Sequence, residues 1–441
     1  MAAPQKPSEP PADIPIAATT TALEQQEVEL VCQFLPQPRI SSLTGAQFKL
    51  AKLLEQIRGV LISLLSNELR TPLCTIQTTI ETLSEGDTIP AQAQRSMIQL
   101  SLTELNRLAL LVESFLSYAN QVWALTLDFA QFRPSRTAAT YLNSMFAALP
   151  NTFSRDQSWL KDARKRLRPF LAALCDEGSG RDELIWAEER ILLEDEWRQA
   201  LAIINHELRT PFTTLKVCLE TLESEGASPT SVRKALLTNA EDDLKRLETL
   251  SRDLELLSRL DARQICFQTE LIDLTATLQT TLNSVLQQAS SETPVDVKIE
   301  NSEQIPLVWA DGAHLIEVLQ RLLENAFRFT AAAGFINVKH QVFGLQAKEQ
   351  EDEIATLKID ISDSGHGIEQ EHLACIFECF YQEEDYLRRN HGGIGIGLTI
   401  CRYLVEGMGG RIWAESPGRN LGSRFCLMLP IQRQKRQMAR A

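Results

Sequence analysis

Between residues 41 and 85 the apolar positions recur at spacings of three and four, with Leu53, Leu54, Ile57, Val60, Leu61, Leu64, Leu65 and Leu69 on one face. That period predicts an amphipathic helix. A second run with Leu100, Leu105, Leu108, Leu111, Val112 and Phe115 predicts the return arm of a helical hairpin. From residue 184 to 204, Ile185, Leu192, Leu193, Trp197, Leu201 and Ile204 keep helical spacing and run without a breaker into another long helix. Its return arm carries a seam of Leu236, Ala240, Leu244, Leu247, Leu250, Leu254 and Leu257, the pattern of a bundle face. One hairpin cannot cover such a seam, so a homodimer joined as a four-helix bundle is expected. After Asp261 the texture changes: residues 295–299 and 357–361 alternate like strands, while 315–327 and 399–407 read as helices. The predicted architecture is multidomain, with all-α helical hairpins followed by an α/β sandwich.

The two hairpins are related. Glu68-Leu69-Arg70-Thr71-Pro72 recurs as Glu207-Leu208-Arg209-Thr210-Pro211, an offset of 207 − 68 = 139 residues. At the same offset Glu81-Thr82-Leu83 meets Glu220-Thr221-Leu222, and Leu105, Arg107, Leu108 and Leu111 meet Leu244, Arg246, Leu247 and Leu250. A hairpin has been duplicated. Between the copies, residues 122–175 mix aromatic residues with basic runs and read as a modest core with a solvated face, to which no function is assigned. Gly178-Ser179-Gly180 reads as a hinge.

Composition narrows the function. The chain of 441 residues has 44 Lys and Arg against 58 Asp and Glu, a net charge of −14, which disfavours a polyanion as main partner. No apolar run approaches the roughly 18–20 residues that span a bilayer. The prolines of the first forty residues are not accompanied by an apolar segment behind a basic start, so neither a fold nor a secretory leader is expected there, and the cytoplasm is the expected compartment. Nine cysteines without a close CxxC pair read as reduced thiols.

Two groups of residues carry chemistry. His206 lies mid-helix beside Glu207; Thr210 shares its face at a spacing of four, and Pro211 cannot donate to the Glu207 carbonyl, so a bend is expected beside the histidine. An exposed imidazole near neutrality is a nucleophile through its unprotonated nitrogen. A lone helical histidine is ordinarily structural. The C-terminal part adds Asp363-Ser364-Gly365-His366-Gly367 after a strand, residues Gly392 to Gly397 before a helix, and Gly409-Gly410 before another strand. Glycines at a helix start let backbone N–H groups approach phosphate oxygens. Asp363 can accept from an exocyclic amine, and Asn325 offers an oxygen suited to a hard cation. No Walker-type GxxxxGK[ST] sequence occurs.

Asn205 to Pro211, Glu324 to Thr330, Asp363 to Gly367, Ile376 to Tyr381 and Gly392 to Gly397, in that order, resemble the H, N, first glycine, F and second glycine boxes of sensor histidine kinases. The resemblance implies that His206 accepts the γ-phosphoryl group of ATP and that Glu207 assists as base or orienter. It implies that Asn325 holds Mg²⁺, Asp363 reads adenine, Arg328 stands near the phosphates, and Gly365, Gly367, Gly393, Gly395 and Gly397 shape the nucleotide pocket. Residues 382–390 would be a mobile lid. Glu207 and Thr210 match an E-x-x-T pattern by which related kinases position water to dephosphorylate a response regulator. Arg321 replaces an asparagine of the usual N-box, Cys379 a common basic residue, and Ile394 a frequent threonine. The first hairpin departs further, because Asn67 stands where its copy has His206. A carboxamide nitrogen is not basic and cannot take a phosphoryl group, so this hairpin is expected to be a pseudo-acceptor kept for dimerisation, sensing or docking.

These readings divide the chain into a disordered lead-in (1–40), a degenerate hairpin (41–120), an unassigned segment (121–183), a signalling helix with the dimerisation and phosphotransfer hairpin (184–262), an ATP-binding domain (263–432) and a basic tail (433–441). The implied activity is ATP-dependent autophosphorylation of His206 and transfer to an aspartate on a separate response regulator. A phosphatase-dominant regulator, in which Thr210 outweighs the kinase reaction, and an ATP-binding scaffold built on the two hairpins are the alternatives.

Overall fold

The structure, a computed structural model, describes residues 45–85, 89–131, 183–224, 230–262, 264–288, 295–300, 307–331, 333–343, 356–382 and 393–431. All of them lie in one compact unit, Thr44–Ala441. The lead-in, most of the segment between the hairpins, the lid beyond Gln382 and the basic tail fall outside the described residues.

Four long helices come first: α1 (Gly45–Glu85), α2 (Ala91–Gln131), α3 (Glu183–Ser224) and α4 (Thr230–Asp261). The second arm of the first hairpin therefore runs past residue 120 to Gln131, and the helical assignment passes unbroken through Pro72 and Pro211. Apolar residues every three or four positions give each helix a buried stripe. On α1 the stripe includes Ile57, Leu61, Leu65, Leu69, Ile76 and Ile80, each fully inaccessible to solvent (0 %). On α4 it includes Ala240, Leu244, Leu247, Leu254 and Leu257, all buried. These stripes meet each other: α1 packs chiefly against α4, and α2 against α3. The seam expected to need a second chain is covered by the first hairpin of the same chain.

The mixed domain follows with β1 (Glu270–Ile272), α5 (Leu274–Gln288), β2 (Asp296–Glu300), β3 (Val308–Ala310), α6 (Gly312–Phe329), β4 (Phe335–Phe343), β5 (Thr356–Asp363), α7 (Gly397–Gly407), β6 (Arg411–Glu415) and β7 (Ser423–Pro430). The main sheet has the order β2-β4-β5-β7-β6, with β2 parallel to β4 and the other pairs antiparallel; β1 and β3 form a separate two-stranded ribbon. Strict alternation on β5 buries Leu357, Ile359, Ile361 and Asp363 on one face, as a strand with one covered side requires. Helices α6 and α7 supply that cover, against β5 and β6.

α6 positions the cleft described below, and its start is fixed by Asp311. The Asp311 carboxylate accepts from the backbone N–H of His314 (3.2 Å) and, from the segment before β1, that of Gln268 (2.8 Å). Burial pushes its pKa up, but these donated hydrogen bonds outweigh burial and hold the carboxyl below its ordinary value. The stabilisation is thus fully present above the ordinary carboxylate pKa and is lost as pH falls through the lowered folded value. Asp311→Ala is expected to lower stability at neutral pH by about 1–2 kcal/mol, with the gap to wild type closing below roughly pH 4. Thermal or denaturant unfolding of the full chain at several pH values checks this; a gap that stays constant into acid contradicts the capping argument.

Candidate functional site

α6 has two faces. Leu315, Val318, Leu319, Leu322, Leu323 and Ala326 are buried against the domain core, while Arg321, Glu324, Asn325 and Arg328 line a cavity of about 900 Å³. The cavity also takes in Asp363, Gly367, Gly393, Gly395, Gly397 and Ser423 from the mixed domain and Glu207, Arg246 and Asp253 from the second hairpin. It therefore sits between the mixed domain and the second hairpin.

Asp363 ends β5, where the alternating pattern turns its side chain inward. It is 6 % exposed. Its Oδ1 accepts from the Gly365 N–H (2.8 Å) and its Oδ2 from the Ser423 hydroxyl (2.5 Å). The carboxylate is thereby fixed in place with acceptor capacity left toward the cavity. Two glycines hold backbone that no side chain permits. Gly367 has φ +65°, and a Cβ there would lie 2.0 Å from the Gly418 carbonyl oxygen; Gly395 has φ +73°, and a Cβ would lie 2.5 Å from that of Tyr381. Gly365, with negative φ, is held to glycine by closeness alone, because a Cβ would stand 2.4 Å from the Phe329 carbonyl oxygen. Ile394 and Ile396, on either side of Gly395, are buried and anchor the loop that leads into α7.

On α3, His206 is exposed and its Nδ1 stands 3.6 Å from Glu207 Oε1. Thr210, one turn on, donates from its hydroxyl to the His206 carbonyl (3.1 Å). The other carboxylate oxygen of Glu207 is turned inward. The residue is 4 % exposed, and its Oε2 accepts from Arg246 of α4 (2.7 Å) and from the N–H of Gly393 (3.0 Å). One carboxylate thus joins the histidine helix, its return arm and the second glycine box. Among the described residues lining the cavity Glu207 is included and His206 is not.

Below this contact Arg321 makes a second junction. Its guanidinium donates to both carboxylate oxygens of Asp253 on α4 (2.6 and 3.2 Å) and to Glu317 one turn back (2.8 Å). Burial works against the guanidinium charge, yet these hydrogen bonds and the field of Asp253 prevail and raise its pKa above the ordinary value. The residue that stood out as a departure from the N-box is the bolt between the mixed domain and the hairpin. Its partner Asp253 carried no mark in sequence, since a carboxylate on the polar side of a bundle helix is common. Arg246 was visible only as a repeat of Arg107.

The family model of the His Kinase A (phospho-acceptor) domain matches residues 57–121 and again 196–263, and that of the Histidine kinase-, DNA gyrase B-, and HSP90-like ATPase matches residues 310–433. The chain belongs to the sensor histidine kinases. The first hairpin is matched in its own right, as the internal repeat requires. Sensor histidine kinase WalK of Bacillus subtilis (strain 168) is 27 % identical over 52 % of this chain and 36 % of that protein. Drug sensory protein A of Synechocystis sp. is 32 % identical over 47 % of this chain and 31 % of that protein. Among solved structures, the Acinetobacter baumannii histidine kinase AdeS is 23 % identical, with a TM-score of 0.37, over 52 % of this chain and 98 % of that one. The chain spans about a third of the length of these two curated relatives. Among the described residues, no helix is long and apolar enough to cross a membrane.

The cavity fits a nucleotide of this family. Its glycine cradle is closed to any Cβ at Gly367 and Gly395, its buried carboxylate is suited to an exocyclic amine, and Asn325 and Glu324 offer oxygen donors for a hard divalent ion beside the cations Arg321 and Arg328.

Gly395→Ala is expected to weaken binding of a fluorescent ATP analogue by tenfold or more while far-UV circular dichroism stays native; unchanged affinity would detach the glycine turn from the nucleotide. For the bolt, Arg321→Met alone leaves Asp253 buried without a partner, at a cost of about 3 kcal/mol. The double variant Arg321→Met/Asp253→Leu is expected to recover much of that loss in a denaturation double-mutant cycle. Strict additivity would show that the ion pair carries no coupling.

Proposed function

We propose that the chain is an ATP:protein-histidine phosphotransferase that phosphorylates His206 and passes the phosphoryl group to an aspartate of a separate response regulator. The observation that carries this reading is the Glu207 junction, which ties the helix bearing the histidine to the glycine loop bordering the nucleotide cavity.

In the reaction, Asp363 accepts from the adenine amine and the backbone of residues 393–397, at the start of α7, faces the phosphates, where N–H groups and the helix dipole favour anions. Mg²⁺, held by Asn325, would supply neutralisation of the triphosphate charge. Nδ1 of His206 lies on the Glu207 side, so the neutral tautomer carries its proton there and Nε2 presents the lone pair. Nε2 attacks the γ-phosphorus, the bond to the β,γ-bridging oxygen breaks, and ADP leaves with that electron pair. The imidazole ring becomes positively charged, and the Glu207 carboxylate stabilises it or takes the Nδ1 proton. Phosphate oxygens compete with Glu207 for the Gly393 N–H, and a carboxylate released from that bond is free to turn toward Nδ1. Little covalent help is needed, because phosphoryl transfer responds mainly to positioning and charge.

The exposed face that carries His206 and Thr210 is where a receiver aspartate would approach. Onward transfer forms an O–P bond to a carboxylate oxygen of that aspartate as the N–P bond breaks, and it leaves the neutral imidazole behind. The Thr210 hydroxyl on that face also supports hydrolysis of the regulator's acyl phosphate, the second activity of the same surface. With ATP as donor, the reaction belongs in the cytoplasm.

Incubating the purified full chain with γ-labelled ATP and Mg²⁺ should give an acid-labile, base-stable label that disappears in His206→Gln and in Asn325→Ala. An acid-stable label, or one that persists in His206→Gln, would overturn the assignment of His206 as acceptor.

A further inference from the structure

The two hairpins are packed as a dimer would be packed. By the repeat of 139 residues, Gln94 and Arg233 are the same position in the two copies, and they bond to each other, with Arg233 Nη2 donating to Gln94 Oε1 at 3.1 Å. Leu83 and Leu222 are equivalent by the same offset, as are Ile98 and Leu237, and these four share one buried cluster near the hairpin tips. Contact between a residue and its own copy is what happens on the axis of an isologous pair. A pseudo-twofold axis therefore runs through the bundle of a single chain.

The two halves of that interface have diverged in a way that selects this pairing. Arg58 of α1 bonds to the carboxylate of Asp261 on α4, whose side chain is 1 % exposed. Close by, the Ser258 hydroxyl donates to the Gly59 carbonyl (2.8 Å), and a Cβ on Gly59 would stand 3.1 Å from that of Asp261. Across the axis the position of Arg58 is taken by Trp197, which stacks on Trp123 with ring centroids 4.5 Å apart. If two second hairpins from different chains paired with each other, Asp261 would meet Trp197 in place of Arg58, leaving a buried carboxylate without its cation. Arg233 would meet Arg233. Both are the unpaired or like-charge contacts by which an interface rejects a wrong partner.

We infer that the degenerate first hairpin is a built-in replacement for the partner subunit, so that one chain forms the complete bundle, with one acceptor histidine, one mimic at Asn67 and one nucleotide domain. The phosphoryl group then passes in cis, from ATP bound to a chain to His206 of that same chain. The single-chain bundle stands on packing alone; the cis transfer rests on the kinase reading above.

Light scattering on the full-length protein, over a wide range of concentration, is expected to give the mass of one chain, 49.5 kDa. A mass twice as large would overturn the inference. In the second arm, wild type is labelled as a control, and His206→Gln is mixed with Asn325→Ala. The first variant keeps the donor and the second keeps the acceptor. The mixture is expected to show no more label than the two variants apart, and the wild-type rate per chain is expected to be independent of concentration. Restored label in the mixture would overturn cis transfer. An unlabelled wild type would count against the kinase reading, with the measured mass still deciding whether the bundle is made by one chain.

Discussion

A row of leucines on α4 must be kept from water, and most of the structure follows from how that is done. Leu244, Leu247, Leu250, Leu254 and Leu257 are all buried, and their own hairpin partner α3 covers only part of their circumference. Hydrophobic burial is non-directional and roughly proportional to area, so the requirement for cover does not itself name the covering helix. α1 meets it because its own stripe has the same period. Specificity comes from the few polar contacts set into the seam, Arg58 with Asp261 and Ser258 with the Gly59 carbonyl.

Once the bundle exists, the mixed domain has a surface to dock on, and two charged junctions define how it does so. Arg321 reaches from α6 to Asp253 on α4, and Glu207 reaches from α3 to Arg246 and the Gly393 N–H. Both are mostly screened from solvent, where ion pairs and charge-assisted hydrogen bonds are directional and costly to leave half made. They therefore fix orientation more than they add stability. The docking brings Glu207, and not the imidazole beside it, to the edge of the nucleotide cavity. The imidazole and the cavity are thus linked through a carboxylate that already touches both sides.

The two hairpins keep one packing pattern while differing at individual positions. The first copy has Asn67 where the second has His206, a carboxamide in place of an imidazole, yet its buried stripe is intact. The interface residues differ on its two sides, with Arg58 on α1 facing Asp261 and Trp197 at the equivalent position of α3 stacked on Trp123.

The sequence by itself determined the helical hairpins, their duplication, the alternating strands and the glycine clusters, because each is written in short-range periodicity or in contiguous residues with one chemical use. It also marked His206, Asn325, Asp363 and the loop glycines, through their order along the chain. Contacts between residues far apart in sequence were not legible. Asp253 looks like any carboxylate on a bundle helix until Arg321 lies against it, and Gln94 looks like any exposed glutamine until it meets Arg233. Nor could the leucine pattern say which helix covers α4, since a copy from another chain offers the same apolar period. Only the tertiary structure decided that, because the choice rests on where individual charges and side-chain volumes meet across helices whose apolar stripes are interchangeable.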